Sequence, residues 1–119
     1  HKVNENIHLK EMIGKTFSSV IQQDNTLIFT NNNVQYIFYH DQECCETVFI
    51  EDIVGDLSDL ENTPLLDARE DTNLENYDNI IKWTFYNFAT NKGTVTVRFY
   101  GKSNGYYGVS VFIDKIINI

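Results

Sequence analysis

Apolar residues recur at every second position over most of the chain, the period of half-buried β-strands. "IGKTFSSVI" at 13–21 is β-branched and extended, and "QDNT" turns it into Leu27-Ile28-Phe29. Asn31-Asn32-Asn33 reads as a turn, because asparagine tolerates positive φ, and it leads into "VQYIFYH". Those two runs predict a hairpin. "TVFIEDI" is a further strand, and "GDLSDLEN" predicts one or two helical turns capped by Asp56 or Ser58 and ended by Pro64. "LLDARED" reads as a short strand and "TNLENYDN" as a polar loop. "IIKWTFYNFAT", "TVTVRFYGK" and "VSVFIDKI", joined by "NKG" and "SNGYYG", predict a three-stranded antiparallel meander. "NENIHLKEMIG" is a candidate short helix with Ile7, Met12 and Ile13 on one face. Ala68 and Ala89 are the only alanines, which argues against long helices. The expected fold is β-rich α+β: one domain over 1–119, a curled, mostly antiparallel sheet of about seven or eight strands with one or two short helices.

Alternation then assigns faces. Val95, Val97 and Phe99, with Val109, Val111 and Ile113, make a core layer. On the preceding strand Ile81, Trp83 and Phe85 are expected inward. That leaves Lys82, Thr84, Tyr86 and Phe88 on the other face with Thr94, Thr96, Arg98, Tyr100, Ser110, Phe112 and Asp114. A face that mixes cations with aromatics suits a planar ligand bearing phosphate, since rings stack a base and Arg or Lys pairs the phosphate. The plainer alternative is packing against the N-terminal helix or another subunit. In "GKSNGYYG" the glycines allow close backbone approach and Tyr106-Tyr107 offer two rings. The run lacks the phosphate-loop spacing and reads equally as a Gly-rich hairpin turn.

Composition narrows the classes. A chain of 119 residues with 42% apolar and 13% aromatic residues can bury one core. A net charge of −8 argues against a classical nucleic-acid binder, which needs a basic footprint. The charge is uneven. Residues 1–40 balance three acids with three bases, 41–80 hold thirteen acids against Arg69, and 81–119 hold five bases against Asp114. An acidic middle and a basic end can dock on each other or on partners, or simply stay solvated. No apolar run approaches a membrane span and no signal peptide is visible, so a cytoplasmic location is expected.

The chemistry-bearing residues point weakly. Cys44 and Cys45 are adjacent, a spacing at which a disulfide is strained, so free thiols in a reducing compartment are expected. His40, Asp41, Glu43, Cys44, Cys45 and Glu46 offer metal donors, but not at zinc-site spacing. His40 and Cys44 lack any fixed geometry as base and nucleophile. Glu51, Asp52, Asp56, Asp59 and Glu61 lack the calcium-loop pattern, and helix capping suits Asp56 or Asp59 better. No metal or cofactor is expected.

Four motifs carry a resemblance: "CCE" at Cys44–Glu46, "IEDI-x-GDL-x-DL" at Ile50–Leu60, "TFYxFAT-x-KG" at Thr84–Gly93 and "SNGYY" at Ser103–Tyr107. With them the chain resembles a small domain-of-unknown-function family encoded in phages and prophages. The resemblance implies an accessory protein that acts stoichiometrically, not enzymatically, against bacterial defence in the host cytoplasm. By analogy of class with anti-Thoeris proteins, it implies sequestration of a nucleotide-derived immune signal, cyclic ADP-ribose-type or a cyclic oligonucleotide. Arg98 and Lys102 would pair phosphate. Tyr86, Tyr100, Tyr106 or Tyr107 would stack the base, and Asn104 would bond its edge. The alternative is an acidic inhibitor whose 41–80 segment masks a basic host protein. A hydrolase working through His40 and the carboxylates is a third reading. A homo-oligomer is expected in the first two cases, because β edges seek pairing. Long nucleic acid and membrane are not expected partners.

Overall fold

The computed structural model describes residues 3–41, 46–76, 79–103 and 109–117. They form two antiparallel four-stranded sheets, one short helix and one 3₁₀ turn. The helix α1 spans Val3–Glu11. In the first sheet β1 (Ser19–Gln23), β2 (Thr26–Thr30), β3 (Val34–Tyr39) and β8 (Phe112–Ile117) lie in the order β1-β2-β3-β8. In the second, β4 (Glu46–Val54), β5 (Asp67–Asn76), β6 (Ile80–Thr90) and β7 (Gly93–Ser103) lie in the order β4-β7-β6-β5. The β-rich fold read from the period-two pattern is therefore present.

Local chemistry makes the turns. Asp24 closes the β1–β2 hairpin at φ 56°, a left-handed conformation that a short polar side chain tolerates. The Asn31 turn works differently from expectation. No residue of Asn31–Asn33 has positive φ; instead Asn31 Oδ1 accepts the backbone N–H groups of Asn33 (2.9 Å) and Val34 (2.8 Å). The 3₁₀ turn Leu57–Leu60 is capped by Asp56, whose carboxylate accepts the Ser58 N–H.

The sheets pack through aromatic side chains. Phe29 of β2 meets Phe88 of β6 at a ring separation of 4.9 Å, and Phe38 of β3 meets Tyr86 of β6 at 4.9 Å. Phe17 and Tyr36 extend the layer beneath α1, from which Leu9 is buried, as is Met12 just after it. Ile7 and Ile13, expected beside Met12, are instead exposed. Glu11 fastens the helix to the first sheet: its Oε1 accepts the Lys115 ammonium (2.9 Å) and the Tyr36 hydroxyl (3.0 Å).

Three expectations are overturned. The "TNLENYDN" loop is largely strand: β5 runs in unbroken register with β6 from Asp67↔Ala89 to Asn76↔Ile80. It has no apolar alternation because it lies at an edge and buries little beyond Ala68. The C-terminal meander stops after β7. Both sides of β7 are taken, with Ser103 registered against Glu46 of β4 and Ile80 of β6, so β8 crosses to the free side of β3. Finally, β6 is turned over. Thr84, Tyr86 and Phe88 are buried, while Ile81, Trp83 and Phe85 are half-buried on the outer face. The register Phe88↔Val95 and Tyr86↔Val97 forces this, because directly opposed residues share a face. Val95, Val97, Phe99, Val109, Val111 and Ile113 are buried as expected.

Two outcomes follow. Gly55 sits at φ 111°, and a Cβ there would lie 2.6 Å from the Thr94 carbonyl oxygen. Gly55→Ala is expected to cost about 3 kcal/mol in urea unfolding, from strain and overpacking together. The Lys115 ammonium holds the Glu11 carboxyl below its ordinary value, against a smaller opposing effect of burial, and the Tyr36 hydroxyl adds to the lowering. A folded value below the unfolded one stabilises above the ordinary carboxylate range and is lost as pH falls through the folded value. The melting-temperature gap between the native chain and Glu11→Gln is expected to be wide at neutral pH and to close below about pH 4.

Candidate binding face

The outer face of the second sheet concentrates the polar and aromatic candidates. Register aligns three cross-strand rows. Phe49, Tyr100, Trp83 and Asn73 form the middle row. On one side lie Asp52, Arg98, Phe85 and Asp71, and on the other Thr47, Lys102, Ile81 and Glu75. Side chains opposed across a sheet lie on one face, so these rows form one surface. Ring centroids are 5.4 Å apart for Phe49–Tyr100, 5.0 Å for Trp83–Tyr100 and 6.3 Å for the stacked pair Trp83–Phe85. Rings leaning on one another account for their half-burial on an outer face.

Arg98 lies within this cluster. Its guanidinium carbon is 5.7 Å from the Trp83 ring, and Nη2 donates to Asp52 Oδ2 at 3.1 Å. The pair is 37% and 47% exposed, and ion pairs of that exposure contribute about 0–1 kcal/mol, so a ligand can displace Asp52. Arg98 Nε is buried and has no hydrogen-bond acceptor among the described residues. Asp52 reaches Arg98 because β4 bulges: the register jumps from Ile50↔Phe99 to Asp52↔Arg98 and leaves Glu51 unopposed.

The site residues expected from sequence divide. Arg98, Tyr100 and Lys102 share the outer face. Tyr86 does not: it is fully buried on the opposite side, and its hydroxyl donates to Glu70 Oε2 at 2.8 Å. Asn104, Tyr106 and Tyr107 lie outside the described residues, as do Cys44 and Cys45. Phe49, Trp83 and Phe85 complete the surface, and sequence reasoning missed them as site residues. The signal was available, because the two-residue turn Asn91-Lys92 sets the register that brings Trp83 beside Tyr100. The face is also not cationic. In the three rows two cations, Arg98 and Lys102, meet three carboxylates, Asp52, Asp71 and Glu75, and further along the same face Arg69 pairs with Asp67 at 2.9 Å.

His40 occupies a separate place. Its Nε2 lies 2.9 Å from Glu46 Oε2 and its Nδ1 2.6 Å from the Ser110 carbonyl oxygen, with Phe112 stacked on the ring. A carbonyl only accepts, so Nδ1 is the donor in that contact. The His40 and Glu46 side chains are 6% and 0% exposed, a setting for a structural clamp. Among the described residues no group of three or more His, Cys, Asp and Glu is placed to hold a metal ion, and no helix is long and apolar enough to cross a membrane.

A domain-family profile described as "Domain of unknown function (DUF7448)" matches residues 10–113. No curated protein and no solved structure matches the chain.

The two faces of β6 predict different responses to truncation. Phe88→Ala is expected to cost about 3–5 kcal/mol in urea unfolding, and Trp83→Ala less than half as much. The reverse order would mean that β6 has the opposite face inward.

Proposed function

The chain belongs to the DUF7448 family, and on that premise we propose that it is a stoichiometric, non-catalytic binding protein that docks a cationic partner protein on the outer face of its second sheet. The observation that carries this reading is the half-buried Phe49–Tyr100–Trp83 row with Arg98, flanked by Asp52, Asp71 and Glu75. Trp, Tyr and Arg dominate binding energy at protein interfaces when a rim excludes water around them. A rim of carboxylates selects a basic partner and speeds its approach. In the phage or prophage setting implied by the resemblance, that partner is a host defence protein.

One observation favours a second reading, sequestration of a nucleotide-derived signal. Among the described residues the buried Arg98 Nε lacks an acceptor, beside the Trp83 ring, and a phosphate oxygen would supply one. Excess carboxylates weigh against an anion, which places this reading second.

Trp83 is the only tryptophan, so its emission reports on this face directly. A small basic protein is expected to shift that emission at low salt and to lose the effect at high salt, with Trp83→Ala abolishing association. A thermal-shift panel of cyclic nucleotides and ADP-ribose isomers is expected to leave the melting temperature unchanged. A raised melting temperature with any of them, lost in Arg98→Ala, would replace partner docking with signal sequestration.

A further inference from the structure

Resting on that reading, we propose that β5 is the docking edge: the partner presents an extended, lysine- or arginine-rich segment that joins the second sheet as a fifth strand along Asp71–Glu75. Four strands end the two sheets, and three of them are guarded. β1 has only five residues, β4 bulges at Glu51, and β8 lies against α1 with Lys115 bound to Glu11. Short length, bulges and cover are the usual protections of a strand edge. β5 has ten residues, one continuous register and no proline. Leu9 and Lys10 of α1 border its first half, Ala68–Asp71. Beyond that, Thr72–Glu75 is exposed throughout, and Leu74 is 61% exposed.

What guards this stretch is charge of one sign. Asp71 and Glu75 flank Asn73 on the outer face, and Glu70 precedes them. A second copy of β5 paired antiparallel about Asn73 would set Asp71 against Glu75, so self-pairing along Asp71–Glu75 is disfavoured. A basic strand gains backbone hydrogen bonds and loses no charge complementarity. Period two then writes the recognition pattern: cations opposite Asp71 and Glu75, a small residue between them opposite Asn73, and an apolar residue opposite Leu74. The small residue would lie next to the Trp83 row, which makes the edge continuous with the aromatic face.

The probe is the peptide Lys-Val-Thr-Val-Lys at saturating concentration against the full chain. Amide hydrogen exchange at Thr72–Glu75 is expected to slow at least about tenfold. The peptide's affinity is expected to fall about tenfold or more in the Asp71→Lys/Glu75→Lys variant. A backbone N-methylated peptide of the same charge is expected to lose binding without any change to the protein. Equal binding of the methylated peptide, or binding with no slowing along β5, overturns the strand-addition proposal. If the basic protein shifts Trp83 emission while the peptide does not bind, the edge proposal fails and the face reading stands. If neither binds, the face reading itself fails.

Discussion

Strand β7 is paired along both sides, with β4 and with β6, and most of the architecture depends on that double pairing. It puts Val95, Val97 and Phe99 against the first sheet, so Thr84, Tyr86 and Phe88 must also face inward. The core aromatics follow: Tyr86 meets Phe38 and Phe99, and Phe88 meets Phe29. The same register puts Phe49, Tyr100 and Trp83 in one outward row. Core and candidate site are the two faces of a single set of strand pairs. Moving β6 by one residue would place the tryptophan in the core and the buried tyrosine in solvent.

The crossing of β8 to the first sheet needs its own fastening, and the His40–Glu46 pair supplies it. His40 follows β3, Glu46 opens β4, and Ser110 precedes β8, so one imidazole joins both sheets and the crossing segment. Burying such a pair carries a desolvation cost that mutual attraction offsets only with full hydrogen bonding. Both ring nitrogens are engaged, which meets that condition on the imidazole side. His40 lies between a carboxylate and a backbone carbonyl, with Phe112 stacked on its ring.

Most strands were legible because alternation and turn chemistry agreed. β2, β3, β4, β6 and β7 are apolar on at least one face, and the Asp56 cap was readable from the "GDLSDL" pattern. The first half of β5 was read in "LLDARED", but its second half was not legible, since backbone pairing with a strong neighbour holds it and its side chains carry almost no burial signal. The face of β6 was ambiguous from alternation alone, because Ile81-Trp83-Phe85 and Thr84-Tyr86-Phe88 are both plausible cores. Only the turn length decided it. The destination of β8 was hidden for a different reason. Which edges are already occupied is a property of the whole sheet, and no local pattern records it.

The charge asymmetry of the sequence becomes a spatial arrangement. The acidic middle of the chain forms β4, the 3₁₀ turn and β5, and the basic end supplies β7 and β8. In the second sheet acidic strands therefore sit at both edges, with the cations of β7 between β4 and β6. Part of the charge is matched inside the chain, as Arg98 with Asp52 and as Lys115 with Glu11. Asp71 and Glu75 have no cation across from them, because their partners in β6 are Phe85 and Ile81. Both carboxylates are exposed, so their pull on an approaching cation is screened by salt. Asp71 and Glu75 lie across from Phe85 and Ile81 on the face that carries the half-buried Trp83–Phe85 pair. On the docking reading proposed above, their juxtaposition on β5 and β6 is what would let the sheet's outer face select a basic partner.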